Sequence, residues 1–265
     1  MANDLVSIIM LSKDSSNFVE ETVRSVMAQT YQNWEIVFMD DSSKDNTISK
    51  MMELMTEGRL KKKSGNFVDR IKVSRNIMER GPGASMNSAL RDARGKWIAF
   101  LNVGDLWEPT KLEKQIAFME ENNYHFSYHK SQKINKDSKP VGGIVTGKEH
   151  IGFDDMLKCC WPTYLTVMYD AEKVGRIKTL EQDQENDYAL WLQACYKTDC
   201  YLMDECLSKH RTNKWFYNPF PIGNNIKWRY EVYRKIEDLN PFVSGLMTVR
   251  NICYGMWKKV KYVER

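Results

Sequence analysis

Carboxylates stand at the places in this 265-residue chain where an apolar run ends or a helical pattern opens: Asp14, the pair Asp40-Asp41, Asp105 and Asp187. Asp40 and Asp41 directly follow the run Trp34-Glu35-Ile36-Val37-Phe38-Met39, and Asp14 comes shortly after Val6-Ser7-Ile8-Ile9-Met10. Acids at a strand end can accept N–H groups from a ligand or help hold a hard cation. One acid opening a helix can take up a proton, or simply cap the helix. Open α/β sheets place their ligands along the carboxyl edge of the strands. The turn after the first run reads Leu11-Ser12-Lys13-Asp14-Ser15 and contains no G-x-G-x-x-G. Acidic groups and not a glycine cradle must therefore meet the ligand, which excludes a dinucleotide-binding dehydrogenase.

These side chains need an alternation of strands and helices to hold them. Two apolar runs flank a helical pattern in which Val19, Val23, Val26 and Met27 recur at three-to-four spacing. That is a β-α-β unit with two buried parallel strands. The alternation predicts a helix over 45–57 with Met51, Met52, Leu54 and Met55 in the core, and a third strand at Ile71-Lys72-Val73. A helix over 84–93 follows Gly81-Pro82-Gly83, then a central fourth strand over 96–101 and an amphipathic helix over 111–122. Residues 58–70 are basic and polar and read as a surface insertion. Strands are expected over 124–130, 144–145, 165–169 and 201–203, a helix over 186–196, and two helices from 224 on, broken at Asn240-Pro241. Gly142 through Lys148 matches G-x-x-x-x-G-K, but Glu149 stands where Ser or Thr must hold magnesium and the preceding residues are polar. A hairpin is the better account.

One α/β domain with a small appendage suits this length. No run of eighteen apolar residues offers a membrane span, and the first residues lack the basic-then-apolar pattern of a secretory leader. The six cysteines (159, 160, 195, 200, 206, 253) have no C-x-x-C spacing, which predicts reduced thiols in a cytosolic protein and no zinc. With 39 Lys+Arg against 35 Asp+Glu the net charge is +4, too small for a nucleic-acid binder. Residues 222–265 hold nine basic and four acidic residues, a net of +5.

The ordered pattern of the first fifty residues resembles the family 2 glycosyltransferases, inverting nucleotide-sugar enzymes of GT-A fold. Val6 to Ile9 match V-S-I-I. Ser25-Val26, Gln29-Thr30-Tyr31, Asn33 and Glu35-Ile36 match S-V-L-x-Q-T-Y-x-N-x-E-I, and Asp40-Asp41, Ser43, Asp45 and Thr47 match V-D-D-G-S-x-D-x-T. The resemblance runs over residues 5 to 211, more weakly after 130. It implies an α/β, Rossmann-like GT-A domain over 1–221, with a mostly parallel central sheet flanked by helices, and C-terminal basic amphipathic helices over 222–265. It also implies transfer of a sugar from a nucleotide diphosphate, by family default UDP, to a glycan or lipid-linked acceptor in surface polysaccharide synthesis.

The same resemblance assigns roles. Asp41 binds the nucleotide base by accepting a ring N–H, with Asp40 and Asp14 beside it. The metal motif L-D-x-D-D corresponds to Leu101-Asn102-Val103-Gly104-Asp105, its frame secured by Trp107, Pro109, Lys111, Leu112 and Glu113. A divalent Mn or Mg ion is implied there. Asn102 and Gly104 replace two of the three acids, so the motif is degenerate and the ion is in question. Lys13 stands where an aromatic normally lies against the base, and can supply positive charge in place of metal. Ser85-Met86-Asn87 replaces A-R-N, losing an arginine near the nucleotide and keeping Asn87. The stretch Glu185-Asn186-Asp187-Tyr188 places Asp187 as the catalytic base and Asn186 where a glutamate is usual. An inverting transfer needs one carboxylate to deprotonate the acceptor, and an apolar wall such as Trp191 or Trp161 would raise its basicity. A helix cap is the plain alternative. Arg211 matches a position that reaches the diphosphate, and Trp161 lies where acceptor loops sit; structural packing is the alternative for both.

Trp228, Tyr230, Tyr233, Ile236, Phe242, Leu246, Val249, Ile252, Met256 and Trp257 alternate with basic residues near the C-terminus. Such helices rest on anionic lipid headgroups, or else pack on the domain or on a second subunit. The first case describes a cytoplasmic protein peripheral on the inner face of the cell membrane. A relative that kept the fold and binds nucleotide without transfer is the rival expectation. Survival of Asp41, Asp105 and Asp187 argues for activity.

Overall fold

The computed structural model of the chain describes residues 4–57, 60–61, 67–181, 187–212 and 222–264. Val6–Ser12 (β1) and Trp34–Asp40 (β2) are buried at every position and pair in parallel, Val6 opposite Trp34 through Ser12 opposite Asp40. Val19–Met27 (α1) joins them and buries Val19, Val23 and Val26, as its periodicity requires. This register brings the ends of both strands to one edge. Thr47–Glu57 (α2) leads to the paired short strands Leu60–Lys61 (β3) and Phe67–Val68 (β4), and then to Ile71–Arg75 (β5), which adds to β2 in parallel. Gly81–Asp92 (α3) starts earlier than its expected bound because Pro82 is tolerated in a first turn, where its missing N–H leaves no bond unmade. Trp97–Phe100 (β6) pairs in parallel with the other side of β1. The acid-bearing half of the sheet thus runs β5-β2-β1-β6.

Beyond β6 the sheet is mixed. Its elements are Leu106–Trp107 (β7), Lys111–Glu121 (α4), Phe126–Ile134 (β8), Pro140–Val145 (β9), His150–Ile151 (β10), Phe153–Lys158 (α5), Met168–Asp170 (β11), Ala171–Val174 (α6), Asp187–Cys195 (α7) and Cys200–Arg211 (β12). β11 lies antiparallel between β6 and β8, and β12 runs parallel to β8 as far as Arg211. The strand expected over 165–169 divides into a 3-10 turn, Tyr164–Thr166, and β11. The strand expected over 201–203 extends to twelve residues because β8 offers a long partner. β9 pairs antiparallel with β8, so the glycine-rich 142–149 stretch begins as a hairpin arm.

Arg70, expected on the surface, is buried. Its guanidinium lies 3.2 Å over the Trp34 ring and donates to the Gln32 carbonyl at 2.9 Å. The planar, weakly hydrated group packs where an ammonium would not. Of the remaining insertion, residues 58–59 and 62–66 lie outside the described residues.

Ile222–Lys235 (α8), Pro241–Lys261 (α9) and Val263–Glu264 (β13) complete the chain. Val232 and Tyr233 of α8 belong to the same core as Phe100, Tyr188 and Trp191, and β13 pairs with β9. The helices that the sequence sets apart at 222 therefore share the core of the segment before them.

One buried ion cluster carries a pH signature. Glu35 accepts from Ser7 Oγ at 2.7 Å and from Arg94 Nη2 at 2.7 Å, with Lys72 Nζ at 3.1 Å. Burial disfavours its charge, but the Arg94, Ser7 and Lys72 donors outweigh that and hold its pKa below the ordinary 4.5. A carboxylate lowered in this way stabilises the fold above its unfolded pKa and loses that contribution as pH falls through the folded one. Glu35→Gln should be less stable than the parent at pH 7 yet show a shallower loss of stability below pH 4.5. Urea midpoints measured against pH check this, and parallel curves would refute it.

Candidate functional site

The loop 76–81 after β5 closes on the ends of β1 and β2. Asp41 Oδ1 accepts from Asn76 Nδ2 at 2.7 Å and from the Arg80 backbone N–H at 2.9 Å, and Oδ2 accepts from Gly81 N–H at 3.0 Å. A carboxylate offers about four lone-pair positions. Three are occupied, and the fourth, on Oδ2, can take one further N–H. Asp41 is thus a nearly buried acid held by the 76–81 loop, with one acceptor position to spare.

Asp40 and Asp14 build the floor. Asp40 is fully buried and accepts from Ser43 N–H at 2.8 Å and from the Ser43 hydroxyl, with Arg75 Nε at 3.5 Å. Asp14, at φ 46, accepts from Lys44 N–H at 2.7 Å, and its own N–H donates to Ser43 Oγ at 2.8 Å. Lys13 forms an ion pair with Glu79 of the 76–81 loop, both side chains largely exposed. Such a surface pair contributes under about 1 kcal/mol.

The degenerate motif has a backbone reason. Gly104 sits at φ 110, where a side chain is strained, and its N–H donates to Thr22 Oγ1 at 2.9 Å. Thr22 Oγ1 in turn donates to the Asp105 carbonyl at 3.0 Å, and Asp105 N–H to the Asn102 carbonyl at 3.1 Å. Antiparallel pairing of β7 with β12 then brings His210 to Asp105, Nδ1 to Oδ1 at 3.2 Å. The two are 105 residues apart, so no local signal pointed to the pair. Among the described residues no group of three or more His, Cys, Asp and Glu could hold an ion. The single Asp105 carboxylate fits an ion otherwise held by phosphate oxygens and water, as Mg is commonly held, with His210 orienting that carboxylate through Nδ1, and does not fit an all-protein cage.

Three expected ligands make scaffold contacts. Arg211 is buried and spends all five N–H donors: Nε on the Gly104 carbonyl (2.6 Å), Nη1 on the Asn135 and Lys136 carbonyls (2.8 and 2.9 Å), and Nη2 on Glu21 Oε2 and Ser138 Oγ (2.7 and 3.0 Å). Its backbone N–H also donates to Asp105 Oδ1 at 2.8 Å. No donor remains for a diphosphate. The amide of Asn87 exchanges two 2.9 Å bonds with the Thr179 backbone and so ties α3 to the 175–181 segment. Trp161 donates to the Asp155 carbonyl at 3.0 Å and meets Tyr262 and Trp257 edge-on at 5.4 and 6.5 Å. It is packing beneath the C-terminal helix.

Asp187 is the first residue of α7; Glu185 and Asn186 lie outside the described residues. Trp191, one turn on, is fully buried and edge-on to Phe100 at 5.1 Å, which fixes α7 against β6. Burial pushes the pKa of Asp187 up, opposed by the Tyr188 backbone N–H and by the charges of Arg229 and Lys258. Arg229 comes from α8 and Lys258 from α9, and neither was singled out by sequence. Lys258 Nζ donates to the Cys160 carbonyl at 3.0 Å and to that of Trp161, and burial lowers its own pKa. Burial raises the proton affinity of this carboxylate, which suits it to accept a proton.

A family model described as "Glycosyl transferase family 2" matches residues 7–181. TuaG of Bacillus subtilis (strain 168), a glycosyltransferase assigned to teichuronic acid biosynthesis, is 33% identical over 246 residues, covering 89% of this chain and 90% of its own. WfgD of Escherichia coli, a UDP-Glc:α-D-GlcNAc-diphosphoundecaprenol β-1,3-glucosyltransferase, is 35% identical over 192 residues, covering 72% of this chain and 70% of its own. Among solved structures, residues 1–349 of S. aureus TarS in complex with UDP-GlcNAc superpose with a TM-score of 0.71 at 18% identity, covering 95% of this chain and 74% of that one. That likeness is one of fold.

Proposed function

The chain belongs to glycosyl transferase family 2 and is a glycosyltransferase of GT-A fold, and from that premise we propose that it transfers a sugar, with inversion, from a UDP-sugar to a glycan or lipid-linked acceptor in bacterial surface polysaccharide synthesis. The observation that carries the donor half is Asp41, whose last acceptor position suits the ring N–H of uracil. The printed donor of WfgD and the UDP-GlcNAc bound to TarS support a uridine nucleotide, and the printed acceptor of WfgD supports a lipid diphosphate.

Asp187 takes the proton of the acceptor hydroxyl while that oxygen forms its bond to the anomeric carbon. The bond from that carbon to the phosphate oxygen breaks on the opposite face, and its electron pair leaves with UDP. A divalent ion held by Asp105 would neutralise charge on the departing diphosphate. No helix among the described residues is long and apolar enough to cross a membrane. We place the chain at the cytoplasmic face, reaching its acceptor from the surface.

Calorimetric titration with UDP, with and without Mn, tests the donor site. UDP should bind in both conditions and more tightly with Mn, on the order of tenfold or about 1.4 kcal/mol. Asp105→Asn keeps the acceptor for Arg211 N–H and should remove only the Mn-dependent increment. Absence of UDP binding in both conditions would end the donor reading.

A further inference from the structure

The C-terminal helix is built inside out. On α9 the most buried residues are polar, Ser244, Thr248 and Asn251 being at most 2% exposed, with Met247 partly buried against the core beside them. Asn251 Nδ2 donates to Tyr233 Oη at 3.1 Å, Thr248 Oγ1 to the Ser244 carbonyl at 2.7 Å, and Lys258 to the backbone of Cys160. The residues facing out are apolar. Phe242 (76% exposed), Leu246 (58%), Val249 (61%), Met256 (59%) and Val260 (84%) recur with exposed Cys253 at alternating steps of four and three, making one stripe along the helix. A helix serving only to cover a water-soluble core shows the reverse pattern.

The stripe cannot turn inward without losing the Asn251 and Lys258 bonds and the β13–β9 pairing, which fix the middle and the C-terminal end of the helix. Its occupant must therefore come from outside. Charge selects which. Between Pro241 and Lys261 the basic residues are Arg250, Lys258, Lys259 and Lys261, and no acid is present. Lys258 is turned inward, but a second copy of α9 laid against the stripe would still bring together two helices that carry positive charge and no acid. An anionic lipid surface meets both the charge and the apolar stripe.

We propose that α9 docks on anionic lipid, lying along the membrane surface with Phe242, Leu246, Val249, Met256 and Val260 in the headgroup–acyl boundary. Lys258, on the inward face of the same helix, donates to the Cys160 carbonyl and its charge acts on Asp187, so docking holds the proton-accepting end of α7 behind α9, about one helix diameter from the lipid surface. The purpose of the contact rests on the acceptor reading above; the contact itself does not.

Sedimentation of the full chain with vesicles tests it. The protein should partition onto vesicles of phosphatidylglycerol mixed with phosphatidylcholine and stay in solution with phosphatidylcholine alone. Val249→Glu with Met256→Glu should lower partitioning on the order of tenfold, with the melting midpoint and UDP affinity unchanged. Should that pair unfold the protein, Phe242→Gln with Val260→Gln probes the two ends of the same stripe. Equal partitioning of a folded variant overturns the proposal, as does a dimer that Val249→Glu dissolves, which would assign the face to a second copy. Partitioning without transfer to a polyprenyl-diphosphate sugar sinks the acceptor reading alone. Transfer to that acceptor without partitioning sinks the docking alone.

Discussion

Asp187→Asn should lower sugar transfer on the order of a thousandfold while leaving UDP affinity within about threefold. The substitution keeps shape and cap chemistry, since asparagine caps a helix as well as aspartate does. It removes only the capacity to carry a proton away. A residue acting purely as a cap would leave turnover unchanged, and that result would refute the base assignment. Stability gives an independent reading. Burial raises the pKa of Asp187 above the ordinary 3.8. A carboxyl raised in the fold contributes its stability below the unfolded pKa and loses it as pH rises through the folded one. At neutral pH the ionised group is therefore a cost, and Asp187→Asn should melt no lower than the parent at pH 7. For the same reason, the acid limb of the turnover profile should lie above the usual aspartate range. Loss of activity together with unchanged or raised stability marks a group held for chemistry.

Arg211→Ala should do the opposite: a large loss of stability with little change in the nucleotide affinity of the folded protein. The side chain joins the Gly104 carbonyl, the 135–138 turn and Glu21, and lies 4.7 Å over the Phe18 ring. Its removal leaves the buried Gly104 carbonyl and the partly buried carbonyls of Asn135 and Lys136 without this donor. We expect a loss of about 3–5 kcal/mol. In a chain of this size each kcal/mol shifts the melting midpoint by about 2–4 °C, so the fall is on the order of 10 °C. Arg211→Lys should rescue little, because one ammonium cannot reach all the acceptors that the five-donor fork serves. Had Arg211 been a diphosphate ligand, the variant would melt normally and bind UDP weakly. Calorimetric melting and titration on one sample separate the cases.

The sequence by itself determined the β1-α1-β2 unit, the strands that follow it and the positions of the acids, because burial of a strand and the stripe of a helix repeat over a few residues. It also determined the family, since the matched residues come in order within one stretch. Whether a given polar group is ligand or scaffold was decided elsewhere in the chain. Arg211 became scaffold through partners 73 to 190 residues away, and Asn87 through Thr179, 92 residues away. The same long closure made Asp105 and His210 a pair and placed Arg229 and Lys258 beside Asp187. For α9 the sequence held the apolar stripe, but only packing could say that it points outward, because the polar face found its partners first. Local periodicity states which residues share a face; what that face meets depends on contacts that no short window contains.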